Sequence, residues 1–65
     1  MTSLQYFIAN LMVSELPVFR QRVIDRCCIS DQTWRNWKSG MAVCERYHNA
    51  INEIALDMKG VKIFQ

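Results

Sequence analysis

Val23-Ile24-Asp25-Arg26-Cys27-Cys28-Ile29-Ser30-Asp31-Gln32-Thr33-Trp34-Arg35-Asn36-Trp37-Lys38-Ser39-Gly40 carries an apolar pattern that stops and then restarts. Phe19, Val23 and Cys27 recur every four residues, the spacing of one buried helix stripe, while Arg20, Gln21, Arg22, Asp25 and Arg26 fill the remaining surface. The pattern breaks over Cys28-Ile29-Ser30. Ser30 is a good N-cap for a new helix beginning at Asp31, whose charge suits the positive helix end. Trp34 and Trp37, three apart, share one face, and Gln32, Arg35, Asn36 and Ser39 lie on the opposite one. Gly40 follows as a residue that enters the left-handed region without a Cβ clash, so this helix is short. Two helices joined by a tight turn are thus expected at the centre of the chain.

Working outward, Pro17 fits the first turn of the earlier helix, where its missing N–H is not needed. Before it, Thr2 and Ser3 are candidate N-caps for a helix with Leu4, Phe7, Ile8 and Leu11 on one face, expected to end near Val13 or Ser14. Beyond Gly40, a connector through Met41, Ala42 and Val43 leads to a last helix with Tyr47, Ile51, Ile54, Ala55 and Met58 as its apolar stripe and Gly60 as its stop. Val61-Lys62-Ile63-Phe64-Gln65 alternates in a way that predicts a short strand or extended arm in need of a partner, with a second subunit the obvious candidate. The expected fold is all-α: one domain over residues 1–65, a compact bundle of four to five short helices. Its helix-turn-helix spans about 20–40 and its C-terminal arm spans 60–65.

Hydrophobic residues make up 51% of the 65 positions, with two Gly and one Pro, a balance that excludes disorder. A chain this short supports only about 3–5 kcal/mol of stability from its core, so dimerisation would help. Apolar runs fall short of the roughly 20 residues that cross a bilayer, and the N-terminus lacks a secretion pattern. The chain therefore reads as cytoplasmic and complete from Met1. Three cysteines cannot all pair internally, so reduced thiols are expected, buried by default, with a surface His48. An oxidation-sensitive Cys28 or Cys44 is the lesser alternative. Cys44 and His48 stand at the i, i+4 spacing of two zinc ligands, with Cys27 and Cys28 as possible completions. Adjacent cysteines are poor joint ligands and no Cys-x-x-Cys is present, so no metal is expected. With no second His, no glycine-rich phosphate loop and no nucleophile-base spacing, neither an enzyme nor a cofactor or small-molecule substrate is indicated.

The formal charge is +2, but residues 20–40 hold Arg20, Arg22, Arg26, Arg35 and Lys38 against only Asp25 and Asp31. This local positive surface, and a helix displaying arginine, amides and serine together, suit a duplex-DNA reader. Arginine pairs with guanine, Gln and Asn with adenine, and hydroxyls with bases or phosphates. Trp34 and Trp37 are assigned to the core rather than to stacking on bases.

The quoted stretch resembles the lambda-repressor-like domain of phage Cro and repressor proteins. Cys27-Cys28-Ile29-Ser30 stands where Leu-Gly-Val-Ser is usual, and Thr33-Trp34-Arg35-Asn36-Trp37-Lys38-Ser39-Gly40 resembles the recognition-helix piece, terminal glycine included. The resemblance implies phosphate contact by Arg20, groove contact by Asp31, Gln32, Arg35 and Asn36, and a place near the DNA backbone for Lys38 and Ser39. It covers about a third of the chain and departs at three positions. Ile24 replaces a small Ala. Cys28 replaces a Gly whose turn needs positive φ, at a cost of about 1 kcal/mol or with altered turn geometry. Asp31 replaces an amide, so it either accepts from a cytosine amino group or serves as a helix-end charge.

The function expected is that of a homodimeric, sequence-specific transcriptional regulator, repressor-like, with recognition helices about 34 Å apart on a palindromic operator. The alternative is a protein-interaction module on the same scaffold, antirepressor or antitoxin-like, which the low net charge keeps open.

Overall fold

Thr2 opens the first helix, Ser3–Ala9 (α1), through a reciprocal cap. Its hydroxyl accepts from the Gln5 N–H at 3.1 Å while its own N–H donates to Gln5 Oε1 at 2.9 Å. In the computed structural model, which describes residues 2–64, three longer or equally regular helices follow. They are α2 (Leu16–Cys27), α3 (Asp31–Lys38) and α4 (His48–Lys59), the last entered through a 3-10 turn at Glu45–Tyr47. The fold is an all-α small bundle, as the periodicities predict.

The first helix ends earlier than expected, at Ala9 rather than near Val13 or Ser14. The Asn10 side chain donates to the Tyr6 carbonyl at 2.8 Å, taking the acceptor that the Asn10 backbone N–H would use in a continuing α-helix. Glu15 then accepts from the Met12 N–H at 2.9 Å and meets Lys59 of α4 at 2.8 Å. The Lys59 hydrogen bond, and next the Met12 N–H, hold the Glu15 carboxyl below the usual carboxylate range. Leu11 still packs against the core from this turn.

Phe19, Val23 and Cys27 of α2 are buried with Leu4 and Phe7 of α1, Trp34 and Trp37 of α3, and Ile51, Ile54 and Ala55 of α4. The Phe19 ring contacts Phe7 and Trp34 at centroid distances of 5.0 and 5.9 Å, so one side chain joins three helices. The basic outer surface of α2 faces α4 carboxylates, Arg22 on Asp57 at 2.9 Å and Arg26 on Glu53 at 2.6 Å. These pairs are exposed and contribute at most about 1 kcal/mol each.

Between α2 and α3 the chain turns in three residues, Cys28 to Ser30. Cys28 takes the left-handed conformation, φ 55 and ψ 42. The Ile29 N–H reaches back to the Ile24 carbonyl at 3.3 Å, the six-to-one bond of a Schellman turn. Ile24, larger than an Ala, is accommodated partly buried beside the core, as is Ile29. A non-glycine residue in this conformation costs about 1–2 kcal/mol. Cys28→Gly is therefore expected to stabilise the fold by about 1 kcal/mol after the greater chain entropy of glycine is subtracted. That corresponds to a rise of roughly 4–8 °C in thermal midpoint. A lower midpoint would show that the Cys28 side chain contributes more than its backbone costs.

The C-terminal segment forms neither a strand nor a free arm; among the described residues there is no strand. Asn52 of α4 supplies what a strand partner would have supplied. Its Oδ1 accepts from the N–H groups of Ile63 and Phe64 at 2.9 and 2.8 Å, and its Nδ2 donates to the Phe64 carbonyl at 2.8 Å. Ile63 is buried and Phe64 lies flat on His48, centroids 3.9 Å apart. Gln65, the end of the expected arm, lies outside the described residues. No described helix is long and apolar enough to cross a membrane.

Candidate nucleic-acid interface

Ser30 caps α3 as expected, its hydroxyl accepting from the Thr33 N–H at 3.2 Å. At the other end Met41 N–H bonds to the Asn36 carbonyl and Gly40 N–H to the Trp37 carbonyl, 3.0 and 3.1 Å, a full Schellman turn. Gly40 has φ +114, a conformation that side chains rarely adopt. Gln5 of α1 donates to the Lys38 carbonyl at 3.0 Å and fixes this end of the helix from outside. Trp34 and Trp37, buried, anchor the inner face. The helix is thus held by a cap, a turn, a neighbouring helix and two indoles, and its outer face is left to solvent.

That outer face gathers most of the residues singled out in the sequence. Arg20, Asp31, Arg35 and Lys38 line one cleft with Leu16, Pro17 and Trp34. Arg20 of α2 and Arg35 of α3 both pair with Asp31, Arg20 through its Nη2 to Oδ1 and Arg35 through its Nε to Oδ2 at 2.9 Å. Gln32 and Asn36, one turn apart, share a hydrogen bond of 3.1 Å from Nε2 to Oδ1. Ser39 follows one turn after Arg35 and is exposed, its hydroxyl donating to the Arg35 carbonyl at 2.9 Å. Asp31 does not stand open as a single acceptor, because both of its oxygens already meet guanidinium groups.

The charge of the chain is sorted accordingly. Away from this cleft, Arg22, Arg26, Arg46, Lys59 and Lys62 are balanced by Glu15, Asp25, Glu45, Glu53 and Asp57. The whole formal +2 therefore resides in Arg20, Arg35 and Lys38 less Asp31.

Two contributors escape helical periodicity. Gln5 acts on α3 across 33 positions, and only the Thr2-x-x-Gln5 spacing of a capping box hints that it is placed. Arg46 lies against Tyr47, its guanidinium 4.8 Å from the ring centroid, and Tyr47 packs on Trp37 at 5.4 Å. It is a cation one ring removed from α3.

Two of the three thiols and the histidine differ from their default placement. Cys27 is buried, and burial raises its thiol pKa against a smaller opposing effect of Arg26, but Cys28 and Cys44 are exposed. His48 is no surface ring: it is partly buried under Phe64, with Nε2 3.0 Å from the Val43 carbonyl. Among the described residues no three His, Cys, Asp or Glu side chains gather as a metal site.

Comparison with protein-family models, with curated proteins and with solved structures finds no match to this chain.

Proposed function

We propose that this chain is a sequence-specific duplex-DNA-binding regulator of the lambda-repressor-like type, acting in the cytoplasm as a homodimer, with α3 in the major groove. The observation that carries the reading is the placement of charge: the entire surplus of positive charge borders the exposed face of a short, rigidly anchored helix whose other groups are Gln32 and Asn36. Net positive potential on the side that presents base-reading amides is what a duplex reader requires, and a uniformly balanced surface would not supply it. Since Ile63 and Phe64 are engaged within their own chain, a dimer would use apolar groups that remain exposed, among them Tyr6, Met12, Val13 and Val61. The same groups favour the second reading, a protein-interaction module.

Titration of a mixed-sequence duplex at increasing salt separates the two. Neutralising phosphates releases counterions, so log K falls against log salt with a slope of about 0.9 per phosphate contacted. Arg20, Arg35 and Lys38 set an expected slope of about 2–3 per subunit. No binding at low salt would overturn the DNA reading in favour of a protein partner.

A further inference from the structure

Asp31 is the residue least at home on a DNA-facing surface, and its contacts give it a definite task. It is the first residue of α3, with a side chain 41% exposed, and its two oxygens face two arginines from two helices. A carboxylate in this position lowers the attraction of the site for any phosphate, since Arg20, Arg35 and Asp31 together carry one positive charge instead of two. Its pairing with Arg35 is directional. Nε is the group held, at 2.9 Å, and the two terminal amino groups of the guanidinium make no ion pair among the described residues. Those amino groups are the parallel donors that match guanine O6 and N7.

From this arrangement we infer that Asp31 is a specificity-determining positioning residue: it holds Arg35 by Nε so that the terminal amino groups read guanine, and it restrains Arg20 and Arg35 from binding phosphates indiscriminately. The inference rests on the duplex-binding reading and names the base class its site takes. Fixing a long side chain beforehand removes part of the ordering cost of the specific complex, while the partial neutralisation weakens every non-specific one. Affinity for arbitrary DNA is exchanged for discrimination. Neither a direct cytosine contact nor a simple helix-end charge has that consequence.

The test is Asp31→Asn, which keeps the shape of the side chain and removes its charge. For each subunit bound, affinity for a mixed-sequence duplex is expected to rise about eightfold at about 0.1 M salt, with a slope steeper by about 0.9, the effect of one more released counterion per subunit. In parallel, sequences selected from a random duplex pool are expected to lose guanine preference at one position. Arg35→Lys, which keeps the charge and removes the planar donor pair, should lose the same preference with the wild-type slope. An unchanged slope and an unchanged preference in Asp31→Asn would overturn the inference, as would loss of a cytosine preference instead. Failure of the wild-type chain to bind any duplex would overturn the underlying reading; wild-type binding with an unaffected Asp31→Asn variant would overturn this inference alone. Thermal melting of both variants, expected near the wild-type midpoint, separates these outcomes from misfolding.

Discussion

Phe19→Ala is expected to leave the chain largely unfolded at 25 °C. Phe19 is fully buried, and its ring is the piece that α1 and α3 share with α2, through Phe7 and Trp34. Truncating a buried Phe to Ala costs about 3–5 kcal/mol, from lost transfer energy together with the cavity left behind. The aromatic contacts at 5.0 and 5.9 Å are part of what is lost. A domain of this length has only about 3–5 kcal/mol in total, so the change is comparable to the whole stability. Phe19→Leu, which keeps most of the volume, should remain folded with a reduced midpoint, at a cost of about 1–2 kcal/mol. Far-UV circular dichroism with urea titration distinguishes the two. A cooperative Phe19→Ala transition near the wild-type midpoint would mean that the core is organised around some other residue. If dimerisation supplies stability, the midpoint of the wild type will rise with protein concentration.

The centre of the molecule was legible because everything that shapes it is local. The four-residue stripe of α2, the Ser30 cap, the paired indoles and Gly40 each act within a few positions, and each falls where spacing predicts. The left-handed Cys28 was legible only through the family resemblance, which sets it where a positive-φ glycine is usual and left an altered turn geometry open. What escaped prediction depends on side chains acting as substitutes for backbone, or on partners far apart in the chain. Asn10 ends α1 by occupying the Tyr6 carbonyl, which no apolar pattern reveals. Asn52 captures Ile63 and Phe64 from 11 and 12 positions away, and so turns an apparently strand-like alternation into a docked tail. The same limit applies to the interface. The spacing of Asp31 and Arg35, i and i+4, is visible in sequence as a possible ion pair. Arg20 joins them only because the turn folds α2 back beside α3, and without that third member Asp31 has the look of an ordinary i, i+4 partner of Arg35.

This arrangement alters what removal of Arg35 should do. Arg35→Ala is expected to weaken binding to preferred sequences by about 1–3 kcal/mol, roughly 5–150-fold, and to relax discrimination at one base pair. Loss of the guanidinium also leaves Asp31 paired with Arg20 alone, a neutral pair, so the charge bordering α3 falls to that of Lys38. Affinity for mixed-sequence DNA should therefore decline too, by the smaller factor that one fewer unit of positive charge gives, with a shallower salt slope. Arg20→Ala removes the same charge but leaves the Asp31 to Arg35 contact in place, so it should weaken all sequences alike and preserve the base preference. The two variants are then matched in charge and differ in readout: equal salt slopes, unequal discrimination. Competition binding between selected and mixed duplexes measures that difference directly. Equal losses on every sequence for Arg35→Ala would make Arg35 a phosphate contact, and base reading would then pass to Gln32 and Asn36, the amide pair one turn apart on the same helix.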